Sequence, residues 1–381
     1  MKNTIEQGPI RPPSEADSLL IRVTRNCPWN KCAFCHTYDG TKFEVRPMAE
    51  IKEDILTVRE IAERIREAVG APGGNGEMSG HLLQILYQRG YSPEAVLPVV
   101  HWLSRGGENV FLQDGNSLIL KTPDLVEILR FIKESLPTVK RITSYCRSQT
   151  ARKKTREEFD LIAQAGLSRI HIGMESGYDP LLKFIKKGSS QADHIEGGRK
   201  IKAAGISLCE YVMPGLGGKR WTEEHARETA HAINMINPDF VRLRSLYVVG
   251  NTELYRMTER GEFESLTEEE TLQEIKRFIG GLEGIETTLI SDHILNLLEE
   301  IEGKLPEDKG RMLGVIDRFF SLPGEERLIF RLGRRLGYYR RLDDLGRADI
   351  HDSLKNWLAR HAKDDAGKLE QRLSDIMQGY I

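Results

Sequence analysis

Residues 26–35 read NCPWNKCAFC and place Cys27, Cys32 and Cys35 within nine positions, with spacers of four and then two residues. Three thiols cannot pair off as disulfides, and a structural zinc site ordinarily takes four ligands. Three thiolates on a short loop can bind three irons of a [4Fe–4S] cluster and leave the fourth iron open to a ligand from outside the protein. Reactivity would enter at that open iron. Two other readings stand beside this one on the residues alone: a zinc knuckle completed by His36, or a four-ligand cluster completed by Cys146 or Cys209.

Such a loop needs a frame that holds it at the mouth of a cavity, and the chain alternates β-prone runs with helical patterns. Residues 18–24 (SLLIRVT), 108–114 (ENVFLQD), 139–145 (VKRITSY), 167–175 (LSRIHIGME), 205–213 (GISLCEYVM) and 239–249 (DFVRLRSLYVV) read as strands. Helix-period segments lie between them, beginning at Met48, Pro123, Arg156 and Glu223. Thr122-Pro123 and Asp179-Pro180 suit helix starts, whereas Gly166 and Gly205 suit helix stops. Six strand–helix repeats predict an α/β fold, a partial (β/α)6 barrel whose active face lies at the strand C-terminal ends. The cysteine loop follows the first strand and so falls on that face.

Two regions leave this rhythm. Residues 70–105 form an insertion, opened by the flexible GAPGGNGEMSG and continued by two helices, which is a candidate lid. From 291 onward the β pattern gives way to helices. The predicted organisation is an N-terminal extension (1–17), a barrel (18–290, with the 70–105 insertion) and a helical C-terminal region (291–381).

Bulk properties exclude several classes. The 381 residues carry a net charge of −2, with 39% hydrophobic and 29% charged residues, the balance of a soluble globular protein without a global field for nucleic acid. Five cysteines, three of them clustered, speak for metal or redox chemistry in a reducing compartment. No secretory signal or transmembrane run is visible, so a cytoplasmic protein with no membrane partner is expected.

Strand parity singles out further residues. Ile170, Ile172 and Met174 share one face of the fourth strand, and His171, Gly173 and Glu175 share the other. In the sixth, Val241 and Leu243 oppose Arg242 and Arg244. The apolar face packs on helices, so the polar one points into the barrel, where charge is costly unless paired or bound to a ligand. A pair between Glu175 and one of the arginines would satisfy this without any function.

The cluster loop, with Phe34 just before the last cysteine, is similar to that of the radical S-adenosylmethionine (radical SAM) superfamily, although its first gap is four residues where the usual spacing is three. GLSRIHIGMESGYDPLLKFIKKG (166–188), GGRKIKAAGISLCEYVMPGLGG (197–218) and INPDFVRLRSLYVVGNTELY (236–255) follow in order. Together they resemble the branch with oxygen-independent coproporphyrinogen oxidases, methylthiotransferases and elongator-type radical domains, over residues 15–260.

The resemblance implies a radical SAM barrel in which Cys27, Cys32 and Cys35 hold a [4Fe–4S] cluster and the open iron takes the amino and carboxylate groups of SAM. It implies contacts to SAM from Gln113, Asp114, Gly115 and Asn116, from Glu175 at the ribose or amino-acid end, from Arg199 at the carboxylate and from the backbone at Gly215 near adenine. His171, Cys209, Tyr211, Arg242 and Arg244 remain as substrate-side candidates. A flavodoxin- or ferredoxin-type donor would reduce the cluster, SAM would split to methionine and a 5'-deoxyadenosyl radical, and that radical would take hydrogen from substrate. Isolated Cys146 and Cys209 supply no second cluster, which argues against methylthiotransferase chemistry.

Two arginines on an inward face call for an anion, so the expected substrate is an anionic small molecule entering beneath the insertion. An RNA-modifying enzyme is the alternative reading, with 327–344 (RLIFRLGRRLGYYRRLDD) as the dense basic stretch for nucleic acid; that stretch reads more simply as the solvated face of an amphipathic helix. A non-catalytic iron–sulfur or zinc-binding protein is the rival of another class, and the inward Glu175, Arg242 and Arg244 count against it.

Overall fold

The computed structural model describes residues 4–70, 80–361, 372–373 and 376–377. Most of the glycine-rich opening of the insertion, residues 71–79, lies outside them. The fold is α/β, as the strand–helix rhythm predicts, and the chain divides into two compact units.

The first unit holds Met1–Lys31, Cys35–Gly173 and Glu196–Leu208. Its strands β1 (Leu19–Arg22), β2 (Asn109–Gln113), β3 (Arg141–Cys146) and β4 (Leu167–Glu175) pair side by side, all parallel. The register sets Arg22 against Gln113 and Tyr145 against His171. Parallel pairing needs crossovers. The first runs through α1 (Met48–Gly70), α2 (Gly80–Gln88) and α3 (Pro93–Ser104), and the next two use α4 (Thr122–Ser135), then α5 (Ser148–Lys153) and α6 (Arg156–Gln164). Two helices fill the described part of the insertion, as predicted.

Helix α1 buries Ile51, Ile55, Val58, Ile61, Ala62 and Ile65, a repeat of three and four residues that makes one apolar stripe against α3 and α4. Each Ile or Val so buried stabilises the fold by about 1.5–3 kcal/mol. Thr155 begins α6 with a capping box: its hydroxyl accepts from Glu158 N, and the Glu158 carboxylate accepts from Thr155 N.

The second unit holds Cys32–Phe34, Met174–Ile195 and Cys209–Ile381. In it β5 (Ser207–Val212), β6 (Phe240–Leu243) and β7 (Thr288–Ile290) run parallel, and β8 (Gly303–Lys304) closes the edge antiparallel to β7. Its helices are α7 (Asp179–Phe184), the start of α8 (Gln191–Ala203), whose residues from Glu196 belong to the first unit, α9 (Gly218–Ile236), α10 (Glu253–Glu259), α11 (Glu268–Gly280), α12 (Lys309–Ser321), α13 (Gly324–Arg335) and α14 (Ala348–His361).

Three expectations need correction here. The sixth strand stops at Leu243, because the Ser245 amide donates to the Asn296 side chain instead of a ladder partner. The region beyond 291 keeps one short strand, β8. The basic stretch at 327–344 is not a solvated face: Arg331, Arg334 and Arg335 are buried, with Arg331 Nε and Arg335 Nε on the Glu268 carboxylate at 2.7 and 2.6 Å and Arg334 on Glu299 at 2.6 Å. Among the described residues no helix is long and apolar enough to cross a membrane.

Candidate active site

In the first unit the cysteine loop leaves β1 through a two-residue ladder, Thr24–Arg25 against Glu44–Val45. Asn26 and Asn30 turn it in left-handed backbone, which asparagine tolerates better than most residues. Both side chains bond within the turn, Asn26 Nδ2 to Lys42 O and Asn30 Nδ2 to Tyr38 O, each at 2.6 Å.

Asp114, at the end of β2, ties this loop to the sheet. Its fully buried carboxylate accepts from Arg22 Nε at 2.8 Å, from the Asn26 amide at 3.0 Å and from Tyr38 Oη at 3.0 Å. Burial, then the Asp114 charge, pushes the Tyr38 phenol well above its ordinary range, so it stays a neutral donor. A Cβ on Gly115 would stand 3.7 Å from Cys27 Cβ, which shows how closely the strand end meets the first cysteine.

The N-terminal segment supplies partners that the sequence reading assigned to ligand. Gln113 accepts from Gly8 N at 2.8 Å and donates to Gly8 O and Ile10 O. A side chain at position 8 would fall 2.3 Å from Asp114 Oδ1, so only glycine allows the approach. Glu15 lies between Arg141, with both its carboxylate oxygens 2.9 Å from guanidinium nitrogens, and His171, whose Nε2 is 3.3 Å away. Burial would raise the Glu15 carboxyl, but hydrogen bonds to His171 and Ser18 and the Arg141 charge hold it below the usual range. His171 is thus seated in the scaffold among Glu15, Phe111 and Tyr145. Asn116 is also spent on protein, donating to Thr150 Oγ1 at 2.8 Å and accepting from Arg147 N at 3.1 Å. Arg199 is exposed on α8.

In the second unit, Ala33 exchanges backbone bonds with Ile185 and Leu254, and Phe34 packs beside Phe184, Leu246 and the Ala33–Leu254–Met257–Phe263 cluster. Lys187 Nζ is 5.8 Å from the Phe34 ring centroid and 2.9 Å from Glu175 Oε1. Glu175 therefore pairs with a lysine, not with an arginine. It has a φ of 64°, and its carbonyl accepts from the Met213 amide. Glu210 is fully buried and neither carboxyl oxygen has a hydrogen-bond partner. Burial, then the nearby Glu175 charge, raises its pKa well above the carboxylate range, so it is held as the neutral acid.

Arg242 is buried and bonds Asp292 at 2.5 Å, which supplies the anion that the sequence reading sought from a substrate. Arg244 lies 5.8 Å over the Tyr211 ring. Burial, then the Arg244 charge, lowers the neighbouring His293 to about 4. The Gly215 amide donates to Glu274 at 2.7 Å. Lys187, Glu210, Tyr38 and Arg22 escaped the sequence reading. Only Arg22 carried a signal, a charge alternating with Leu19 and Ile21 in an apolar strand.

None of the five cysteines forms a disulfide; Cys27, Cys32 and Cys35 are partly exposed, whereas Cys146 and Cys209 are buried. Among the described residues no three His, Cys, Asp or Glu side chains converge as a single bound ion requires. A cluster asks for less convergence, because each thiolate meets a different iron. Three accessible thiols on one loop fit that donor set.

Residues 81–233 match the family described as the Radical SAM superfamily. The chain is 32% identical over 123 residues, 31% of its length, to 22% of a tRNA uridine(34) acetyltransferase of Methanocaldococcus infernus. It is 23% identical over 284 residues, 71% of its length, to 49% of the like-named protein of Methanocaldococcus jannaschii. The chain thus covers less than half of either relative. Among solved structures, Methanocaldococcus infernus Elp3 with an N-terminal deletion aligns at a TM-score of 0.40 and 20% identity, covering 50% of each chain. The family match over residues 81–233, joined to the cysteine loop and the parallel strand–helix repeats, gives this chain a radical SAM domain and supports an enzyme of that class, whose family carries a [4Fe–4S] cluster and binds S-adenosylmethionine.

Proposed function

We propose that this enzyme acts on RNA, with a uridine-bearing tRNA as its substrate class. The observation that carries the reading is the likeness, along 71% of the chain, to a protein named as a tRNA uridine(34) acetyltransferase. The proposal does not extend to acetyl transfer, because the chain spans 49% of that relative. The expectation of a small anionic substrate rested on uncompensated arginines, and Asp292 answers Arg242 within the protein.

In this proposal Cys27, Cys32 and Cys35 each bind one iron. A bound cluster and SAM would supply one-electron chemistry for hydrogen-atom removal from the substrate, with a flavodoxin- or ferredoxin-type protein as the electron source. Asp114 holds the loop in place through Asn26 and Tyr38. Glu175 and Arg199 meet the polar groups of SAM, and the backbone at Gly115 and Gly215 supports it. Lys187 balances the Glu175 charge. Arg244 and Tyr211 face substrate in this proposal, while His171 and Arg242 pair with Glu15 and Asp292 within the protein.

The test is anaerobic reconstitution, reduction with dithionite and assay for 5'-deoxyadenosine with and without an unmodified tRNA transcript, followed by mass analysis of the digested nucleosides. Stimulation by tRNA and a mass change at a uridine are expected. Iron-loaded protein that never cleaves SAM would overturn the radical reading. Cleavage indifferent to tRNA but stimulated by small-molecule extract would overturn the RNA reading alone.

A further inference from the structure

Pro28 and Trp29, next to Cys27, form one wall of a cavity of about 320 Å³ within the first unit. Arg147, Lys153 and Lys154 are cations on its lining, against the single carboxylate of Glu158. That carboxylate pairs with Lys154 at 3.8 Å and also accepts from Thr122 Oγ1 at 2.5 Å and from the Thr155 amide at 2.8 Å, so the cations still outnumber it. The excess charge is positive.

The cavity is also rigidly built. The Arg147 guanidinium lies 5.0 Å from the Trp29 ring centroid, and Lys31 Nζ, just outside the lining, stands 5.2 Å from the same ring. The Arg147 backbone is fixed by Asn116, fully buried below it. A guanidinium stacked on an indole keeps its planar fork in one orientation, and that fork matches phosphate oxygens. A protein whose net charge is −2 has no long-range pull on a polyanion, so a local pocket of this kind must do the gripping.

Resting on the RNA reading, we infer that this cavity seats a phosphodiester of a single-stranded segment of the substrate RNA. Arg147 and Lys153 meet the phosphate, and Trp29 holds the arginine in place. The arginine that meets the RNA is thereby held by a tryptophan two residues from the first cluster ligand.

The probe is a fluorescently labelled, unstructured ten-nucleotide oligouridylate, titrated by anisotropy against reconstituted holoprotein over a range of salt. Lys153→Ala should weaken binding about tenfold at low salt and make the salt slope shallower by about 0.7, the contribution of one phosphate contact on a single strand. Lys153→Arg should restore both. Iron content and RNA-independent SAM cleavage should not change. If wild-type protein binds the probe and Lys153→Ala binds it equally well, the cavity assignment is wrong and the RNA reading stands. If wild-type protein binds neither the probe nor tRNA, the RNA reading itself has failed. If RNA binding is unchanged but Lys153→Ala loses SAM cleavage with flavodoxin and keeps it with dithionite, the cavity docks an acidic electron donor and the inference is overturned.

Discussion

Glu15 and His171 meet at 3.3 Å in a fully buried contact although 156 residues separate them, and Arg141 completes the group. A charge so buried is tolerable only with its partners in place. Glu15→Ala should therefore lower unfolding free energy by about 3 kcal/mol, the scale for stranding the partner of a buried ion pair. Glu15→Gln keeps the hydrogen bonds and should lose less. Urea unfolding of the two variants measures this; equal, small losses would mean that the cavity around Glu15 is well hydrated.

Iron content tests the ligand set. Cys27→Ala, Cys32→Ala and Cys35→Ala should each reduce the iron held after reconstitution and abolish SAM cleavage. Cys146→Ala should retain about four irons per chain, since its buried thiol lies within hydrogen-bond reach of the Arg147 carbonyl. Loss of the cluster in the Cys146 variant would revive the four-ligand reading.

Glu175→Gln should weaken SAM binding by about 1.5–3 kcal/mol, the range for a hydrogen bond to a charged group, with iron content unchanged. Lys187→Met tests the same site from the other side, because it leaves the Glu175 charge beside the buried Glu210. Equilibrium dialysis with labelled SAM reports both. Undiminished affinity in Glu175→Gln would make the Glu175–Lys187 pair purely structural.

His293 makes a pH prediction. Its folded value, about 4, lies below the ordinary 6.5, so the unfolded chain takes up a proton first as pH falls. Its contribution is whole above about pH 6.5, declines by at most ~1.4 kcal/mol per pH unit below that, and is gone by about pH 4. Urea midpoints at pH 7 and pH 5 should differ more for the wild type than for His293→Phe. Equal differences would place the acid sensitivity elsewhere.

The repeat of strands and helices was legible because burial imposes a period on each element; residues 167–175 form a strand with the predicted bounds. The cysteine loop was legible because metal chemistry is written in local spacing. What could not be read is pairing across distance. Arg242 carries no mark in its neighbourhood that Asp292, 50 residues on, neutralises it. Nothing near Gln113 announces that Gly8 and Ile10 will occupy its amide. Parity grouped Arg242 and His171 with the polar side chains of their strands and left their partners to ligands, where Asp292 and Glu15 supply them, since the alternation of a strand bears on which way a side chain points and not on what it meets. The buried arginines of α13 misled for the same reason: their count suggested a wet surface, and Glu268 and Glu299 keep them inside.

The seat of the N-terminal segment has a consequence in time. Gly8 and Glu15 are made well before their partners, Gln113 for the first and Arg141 and His171 for the second. At ~5–20 residues per second, the 156 residues from Glu15 to His171 take roughly 10–30 s to synthesise. Until His171 is made the buried group around Glu15 is incomplete, and the carboxylate that later joins Arg141 and His171 remains in water. Residues 8–15 are thus among the last of their unit to settle, so a nascent chain arrested before residue 171 should leave them open to protease while α1 is already protected.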